Sequence, residues 1–170
     1  MKYEKGFSLI ELLITIAILA TLSAIAILYI PDMMDGYKVR GAGRLVYSDM
    51  QMARLRAIKE GKQWAVEFTS ASATTYCVKS EVNTTNNAMD GFSTGCATPN
   101  DTIVKTVDIN NEHSGVTGDS SNVSSNRVEF NPNGTATSGR IIISKGSRTQ
   151  SLCLNSSTGN IRIVNASTCS

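Results

Sequence analysis

Few side chains in this 170-residue sequence are of a type and spacing that could do chemistry. There is a single histidine, His113, which excludes most His-based catalytic and metal sites. No phosphate-binding loop and no His-containing metal pair occurs, so no catalytic residue, no cofactor and no enzyme activity is expected. Asp108, Asn110, Glu112 and Asp119 follow the cadence of a calcium loop at positions 1, 3, 5 and 12. His113 stands at position 6, where such loops require glycine, and helical flanks are missing, so a polar loop is the default and His113 reads as one of its solvated residues. Cys77, Cys96, Cys153 and Cys169 form no Cys-x-x-Cys pair, which points away from zinc or redox chemistry and toward disulfides. Four cysteines allow three connectivities. Proximity favours Cys77–Cys96 and Cys153–Cys169, each closing a loop of about twenty residues or fewer and contributing about 2–4 kcal/mol in an oxidising compartment. In a reducing one they would be buried thiols.

The remaining reactive group is Glu11, and its setting is what makes it unusual. Residues 7–30 read FSLIELLITIAILATLSAIAILYI, apolar at nineteen of twenty-four positions. As a helix the run is about 36 Å long, enough to cross a hydrocarbon core of about 30 Å. The reading is a membrane span. A cleaved secretory signal fits poorly, because the run is too long and no Ala-x-Ala-like site follows it. Lys2 and Lys5 precede the span on a short segment, which favours a cytoplasmic N-terminus and export of the remainder. A carboxylate inside the span costs about 2.5–3.5 kcal/mol unless it reaches water or finds a cation. The average composition hides this partition. At 41% hydrophobic, 18% charged and a net charge of +2, the whole chain excludes a disordered protein and a histone-like nucleic-acid binder, and little more.

Gly6-Phe7-Ser8-Leu9-Ile10-Glu11 after a short basic leader resembles the processing motif of type IV prepilins and type II secretion pseudopilins. The resemblance implies a leader, residues 1–6, removed by an inner-membrane prepilin peptidase that cuts after Gly6 and methylates the amine of Phe7. It implies that Glu11 then finds its cation in an N-terminal amine, its own or a neighbour's, inside an apolar filament core. It also implies other pilin subunits and an inner-membrane assembly platform as partners. The chain would sit first in the bacterial inner membrane, head in the periplasm, and later in a pilus or pseudopilus.

Beyond the span, Val39, Ala42, Val46, Met50, Ala53 and Ala57 recur at spacings of 3 and 4, an amphipathic continuation of the helix over residues 31–62. Arg44, Ser48, Gln51, Arg56 and Lys59 occupy other faces, and Gly61 is a stop. Pro31 and the Gly41–Gly43 pair are points where it could bend. From residue 63 to 170 the period shortens. Strands are expected at 64–68, 75–78, 103–107, 127–130, 141–143, 151–154 and 161–164, with turns at 131–134 and 157–160 and long polar loops at 80–101 and 110–126. The class is α+β, a long helix packed on a mainly antiparallel β head. Val128 to Ala136, Gly139 to Ser144, and the strand–turn–strand ending at Gly159-Asn160-Ile161-Arg162 are similar to the minor-pilin group that includes the type II secretion H pseudopilin (GspH) and the FimT/FimU pilins. The FimT branch of that group includes DNA binders with a Gly-Arg-x-Arg stretch, and here Asn160 stands at its first arginine. Arg140, Lys145, Arg148 and Arg162 could form a local patch for DNA, although the head has seven basic residues against eight acidic ones. The expected role is a minor pilin or pseudopilin, with a DNA-binding pilin for transformation as the alternative.

Overall fold

The computed structural model describes residues 6–81, 95–96 and 101–169, with the backbone alone over 26–32. These form two compact units, one ending at Asp35 and the next beginning at Gly36. Helix α1 spans Leu9–Glu60, through Pro31 and both glycines of the expected bend. It ends where the Gly61 N–H donates back to the Ala57 carbonyl.

In the second unit all six residues of the stripe, Val39 to Ala57, are buried. Half of them are alanine, so neighbouring elements can approach the helix axis closely. Gly41 and Gly43 serve the same end and are points of contact. A Cβ on Gly41 would lie 2.4 Å from the imidazole of His113, and one on Gly43 would lie 1.9 Å from the Gln150 side-chain oxygen. His113 is therefore packed against the helix, half-buried, and is not the solvated loop residue expected from its polar surroundings.

Nine strands follow: β1 Trp64–Phe68, β2 Ser72–Ala73, β3 Thr75–Glu81, β4 Asp101–Asp108, β5 Thr117–Asp119, β6 Arg127–Phe130, β7 Gly139–Lys145, β8 Arg148–Leu154 and β9 Ile161–Val164. Pairing is antiparallel throughout, in a four-stranded sheet ordered β4-β3-β1-β6 and a five-stranded sheet ordered β2-β5-β7-β8-β9. All seven expected strands are present. The expected loop at 110–126 instead holds a short helix α2, Ile109–Glu112, strand β5 and a 3-10 turn at Ser124–Asn126. Of the expected loop at 80–101, residues 82–94 and 97–100 lie outside the described ones.

One apolar cluster joins the helix stripe to the inward positions of both sheets, among them Trp64, Val66, Phe68, Val128 and Phe130 from the first, and Ile141, Ile143, Leu152 and Ile161 from the second. Side-chain alternation assigns these faces. Three polar ties fix the helix on that core. Asp49 accepts a hydrogen bond from the Tyr76 hydroxyl at 2.6 Å and faces the Lys105 ammonium at 2.9 Å. The Arg56 guanidinium lies 5.0 Å from the centre of the buried Trp64 ring. Arg54 donates to the Thr158 carbonyl at 2.7 Å, where the two turns predicted from sequence meet. There Gly159 has φ +60, and a Cβ on it would lie 2.2 Å from the carbonyl oxygen of Gly134.

Backbone against backbone leaves no room to relax, so Gly159→Ala is expected to lose about 1–3 kcal/mol, seen as a lower urea midpoint. Tyr76 supplies a pH test. Its hydroxyl is held well above the ordinary tyrosine range, first by burial, then by the hydrogen bond to Asp49 and the charges of Asp49 and Glu112. A group raised in the folded state stabilises fully below its unfolded value and loses that contribution as pH climbs through and beyond it. Urea melts from about pH 9 to about pH 11 should therefore show stability falling more steeply above about pH 10 in the wild type than in Tyr76→Phe.

Candidate functional site

The sequence places its most specific chemistry at the start of the chain. Gly6, Phe7 and Ser8 precede α1 and are non-helical, and Gly6 has nothing within 4 Å of where a Cβ would stand. Phe7 is 82% exposed. The bond between Gly6 and Phe7 thus lies outside the helix, in accessible chain. The Ser8 carbonyl accepts from the backbone of both Glu11 and Leu12, opening the helix so that Glu11 falls in its first turn. A carboxylate there is favoured by the helix dipole. Residues 1–5, with Lys2 and Lys5 of the expected leader, lie outside the described residues.

From Leu9 to Ile25 large apolar side chains are exposed on every face of the helix. The three hydroxyls among them are already used: Thr15 donates to the Leu12 carbonyl, Thr21 to Ile18 and Ser23 to Leu19, at 2.8 to 2.9 Å. Glu11 is left as the one group on this stretch without an intrahelical way to satisfy its polarity in apolar surroundings. A helix apolar all round is suited to lipid or to a bundle of other helices. Among the described residues no helix is long and apolar enough to cross a membrane. The expected span, 7–30, runs into residues 26–30, whose side chains are outside those described.

In the head, Cys77 is bonded to Cys96 and Cys153 to Cys169. The first bond sits on the outward side of the four-stranded sheet, where Cys77 pairs in register with Glu67. Around it lies a buried charge cluster absent from the sequence reading. The Lys79 ammonium is 2.7 Å from Glu67, 3.0 Å from Asp101 and 3.2 Å from the Gly95 carbonyl, and Arg127 joins Glu67 to Glu129. The Gly95 N–H donates to Glu67, so the residue beside Cys96 satisfies both ends of the ion pair. The second bond holds the C-terminal tail along β8: the Ser151 hydroxyl, on the outward side, donates to the Ala166 carbonyl, and the Gln150 amide, from the helix-facing side, donates to Asn165. Nothing in the one-dimensional pattern distinguishes Lys79 or Asp49 from surface charges, since only the registers of β1, β3 and β4 bring their partners to them.

The weaker candidates do not assemble. Asp108 caps α2 by accepting from the Asn110 N–H, Asn110 accepts from Gly115, and Asp119 accepts from Ser121. Glu112 ends α2. The carboxylates serve local turns on different elements, and no group of three or more His, Cys, Asp or Glu among the described residues could hold a metal ion. The four basic residues divide into two pairs. Arg140 and Arg162 flank Cys153 on the outward face of the second sheet, whereas Lys145 and Arg148 face each other at the β7–β8 hairpin end. Five residues of strand, about 16 Å, separate the pairs, so the four do not stand together as one patch.

The family model for type II transport protein GspH matches residues 42–159, and the model for the prokaryotic N-terminal methylation motif matches residues 1–27. The structure is similar to that of the type IV minor pilin FimU of Pseudomonas aeruginosa strain PAO1, with a TM-score of 0.51 and 15% identity, over 74% of this chain and 91% of that one. At that identity the likeness speaks for the fold. None of the curated proteins matches the chain by sequence.

Lys79→Met would take the buried ammonium away from Glu67 and Asp101, and a loss of about 3–5 kcal/mol is expected in chemical denaturation. Arg127→Met, at the more exposed edge of the cluster, should cost about 1–2 kcal/mol, and equal losses would show that Lys79 is not its centre.

Proposed function

The chain belongs to the GspH family, whose members are minor pilin or pseudopilin structural subunits, and from that premise we propose that it is processed by a prepilin peptidase and assembled into a pseudopilus or pilus through its N-terminal helix. The observation that carries this reading is the pairing, on one chain, of an accessible Gly6–Phe7 junction with a helix whose apolar residues from Leu9 to Ile25 face solvent on all sides. Such a surface needs a non-aqueous home, first the inner membrane across residues 7–30 and then the core of a filament. The head is held in the periplasm, where the two disulfides are stable.

The peptidase cuts after Gly6, and the amine it leaves on Phe7 is methylated. Glu11 pairs with an N-terminal amine, in its own subunit or in the next. In a core of leucine and isoleucine side chains, a carboxylate that finds no cation is strongly disfavoured, so subunits pack only in registers that supply one. Binding of DNA draws no support from the family or the fold, and Arg140, Lys145, Arg148 and Arg162 lie in two separate pairs.

Gly6→Val is expected to block cleavage, leaving a precursor heavier by the leader in intact-mass measurement. Glu11→Ala should be cleaved normally but enter filaments about a hundredfold less, the equivalent of about 3 kcal/mol lost at a buried pair. Normal incorporation of Glu11→Ala would sink the pairing.

A further inference from the structure

The Lys145–Arg148 hairpin end has a defined place along the helix. Gln150 of β8 lies against Gly43, and Thr158, just past β8, lies against Arg54. Strand β8 therefore advances in the same sense as α1, and its leading end, Arg148 with the hairpin, sits toward the start of the helical part of the second unit. A second contact agrees. His113 lies on Gly41, and the Lys145 ammonium donates to the carbonyl of its neighbour Ser114 at 2.6 Å. Lys38 and Arg40 leave the helix at this level, with Arg44 one turn on. Two stretches of chain, tied through a third at His113 and Ser114, thus bring Lys38, Arg40, Lys145 and Arg148 to one end of the head. Asp32 and Asp35, which stand between Ile30 and Lys38 in the sequence, and Glu112 are the acidic residues on the adjoining stretches. Tyr37, 63% exposed, belongs to the same level.

We infer that this basic collar is a docking surface for anionic phospholipid headgroups, which seats the head on the outer leaflet of the inner membrane before assembly. The inference rests on the reading of residues 7–30 as the membrane span. Only eight residues join Ile30 to Lys38, so chain connectivity alone keeps the collar within reach of the headgroup layer. An exposed tyrosine next to lysine and arginine is the residue pattern of a membrane–water interface. The head as a whole carries more acidic than basic residues, so a basic end gives it a preferred orientation toward a negative surface.

The test uses the full chain in bilayer discs of zwitterionic lipid, or of the same lipid with about one-third phosphatidylglycerol, after flotation has confirmed insertion. Lysine acetylation is followed site by site by mass spectrometry. Lys38 and Lys145 should react about fivefold more slowly in the anionic discs, while Lys59 and Lys62, at the far end of the helix, are unchanged. The protection should vanish in about 0.5 M salt and, at Lys38, in the Lys145→Gln/Arg148→Gln variant. Equal rates in both lipids would overturn the collar and leave the span intact. So would protection that appears, in either lipid, only when other filament subunits are added, which would make the partner a protein. Failure to insert, read by flotation before any acetylation, would overturn the span and the collar together.

Discussion

The head depends on one packing constraint, the seating of the small-residue stripe of α1 on the inner faces of both sheets. Each sheet has one apolar side, and neither could hide it alone. Val39, Ala42, Val46, Met50, Ala53 and Ala57 join them in a single cluster with Trp64, Phe68, Ile141 and Leu152. The alanines, with Gly41 and Gly43, let strands and loops come close to the helix backbone. The hydrophobic term is large but indifferent to small sliding movements. Registration comes from directional groups placed along the same helix: Asp49 with Tyr76 and Lys105, Arg54 with the Thr158 carbonyl, and Arg56 over Trp64.

The outward sides of the sheets follow a different logic. A polar exported head has little apolar surface left to cover them. The four-stranded sheet closes its outer face with the Lys79–Glu67–Asp101 cluster beside the Cys77–Cys96 bond, and the five-stranded sheet covers β8 with a tail fastened through Cys153–Cys169. Each disulfide stands where hydrogen bonds alone would hold a peripheral segment. The bond limits the freedom of that segment in the unfolded chain, and in the first case it also keeps Gly95 in place to satisfy a buried ion pair.

The two stretches of α1 illustrate how one regular element can carry two chemistries. Over Leu9 to Ile25 apolar residues occupy every face and remain exposed, with hydroxyls folded back on the helix. Over Val39 to Ala57 only one face is apolar, and it is buried. The first pattern asks for surroundings the chain does not itself provide, which is the physical reason to look for lipid and for other subunits. Under the proposed assembly, Glu11 would add selectivity to that demand, because an apolar helix accepts many neighbours and a carboxylate accepts few.

Much of this was legible in the sequence because it is local or periodic. The Gly6-Phe7-Glu11 motif, the stripe at spacings of 3 and 4, the seven strands and both turns need only neighbouring residues to be recognised. The misreadings have one cause. Gly41 and Gly43 looked like weak points in a helix and His113 like a solvated residue, because their partners lie across the fold, and β5 is too short to show alternation. By itself, then, the sequence determined the main element types and the family. Tertiary structure alone decided which charges are buried, which glycines are contacts, and that Lys145 and Arg148 part from Arg140 and Arg162 to stand near Lys38. Hydrophobic periodicity is written along the chain, whereas the partner of a charge is set by strand register and by the distance between elements far apart in sequence.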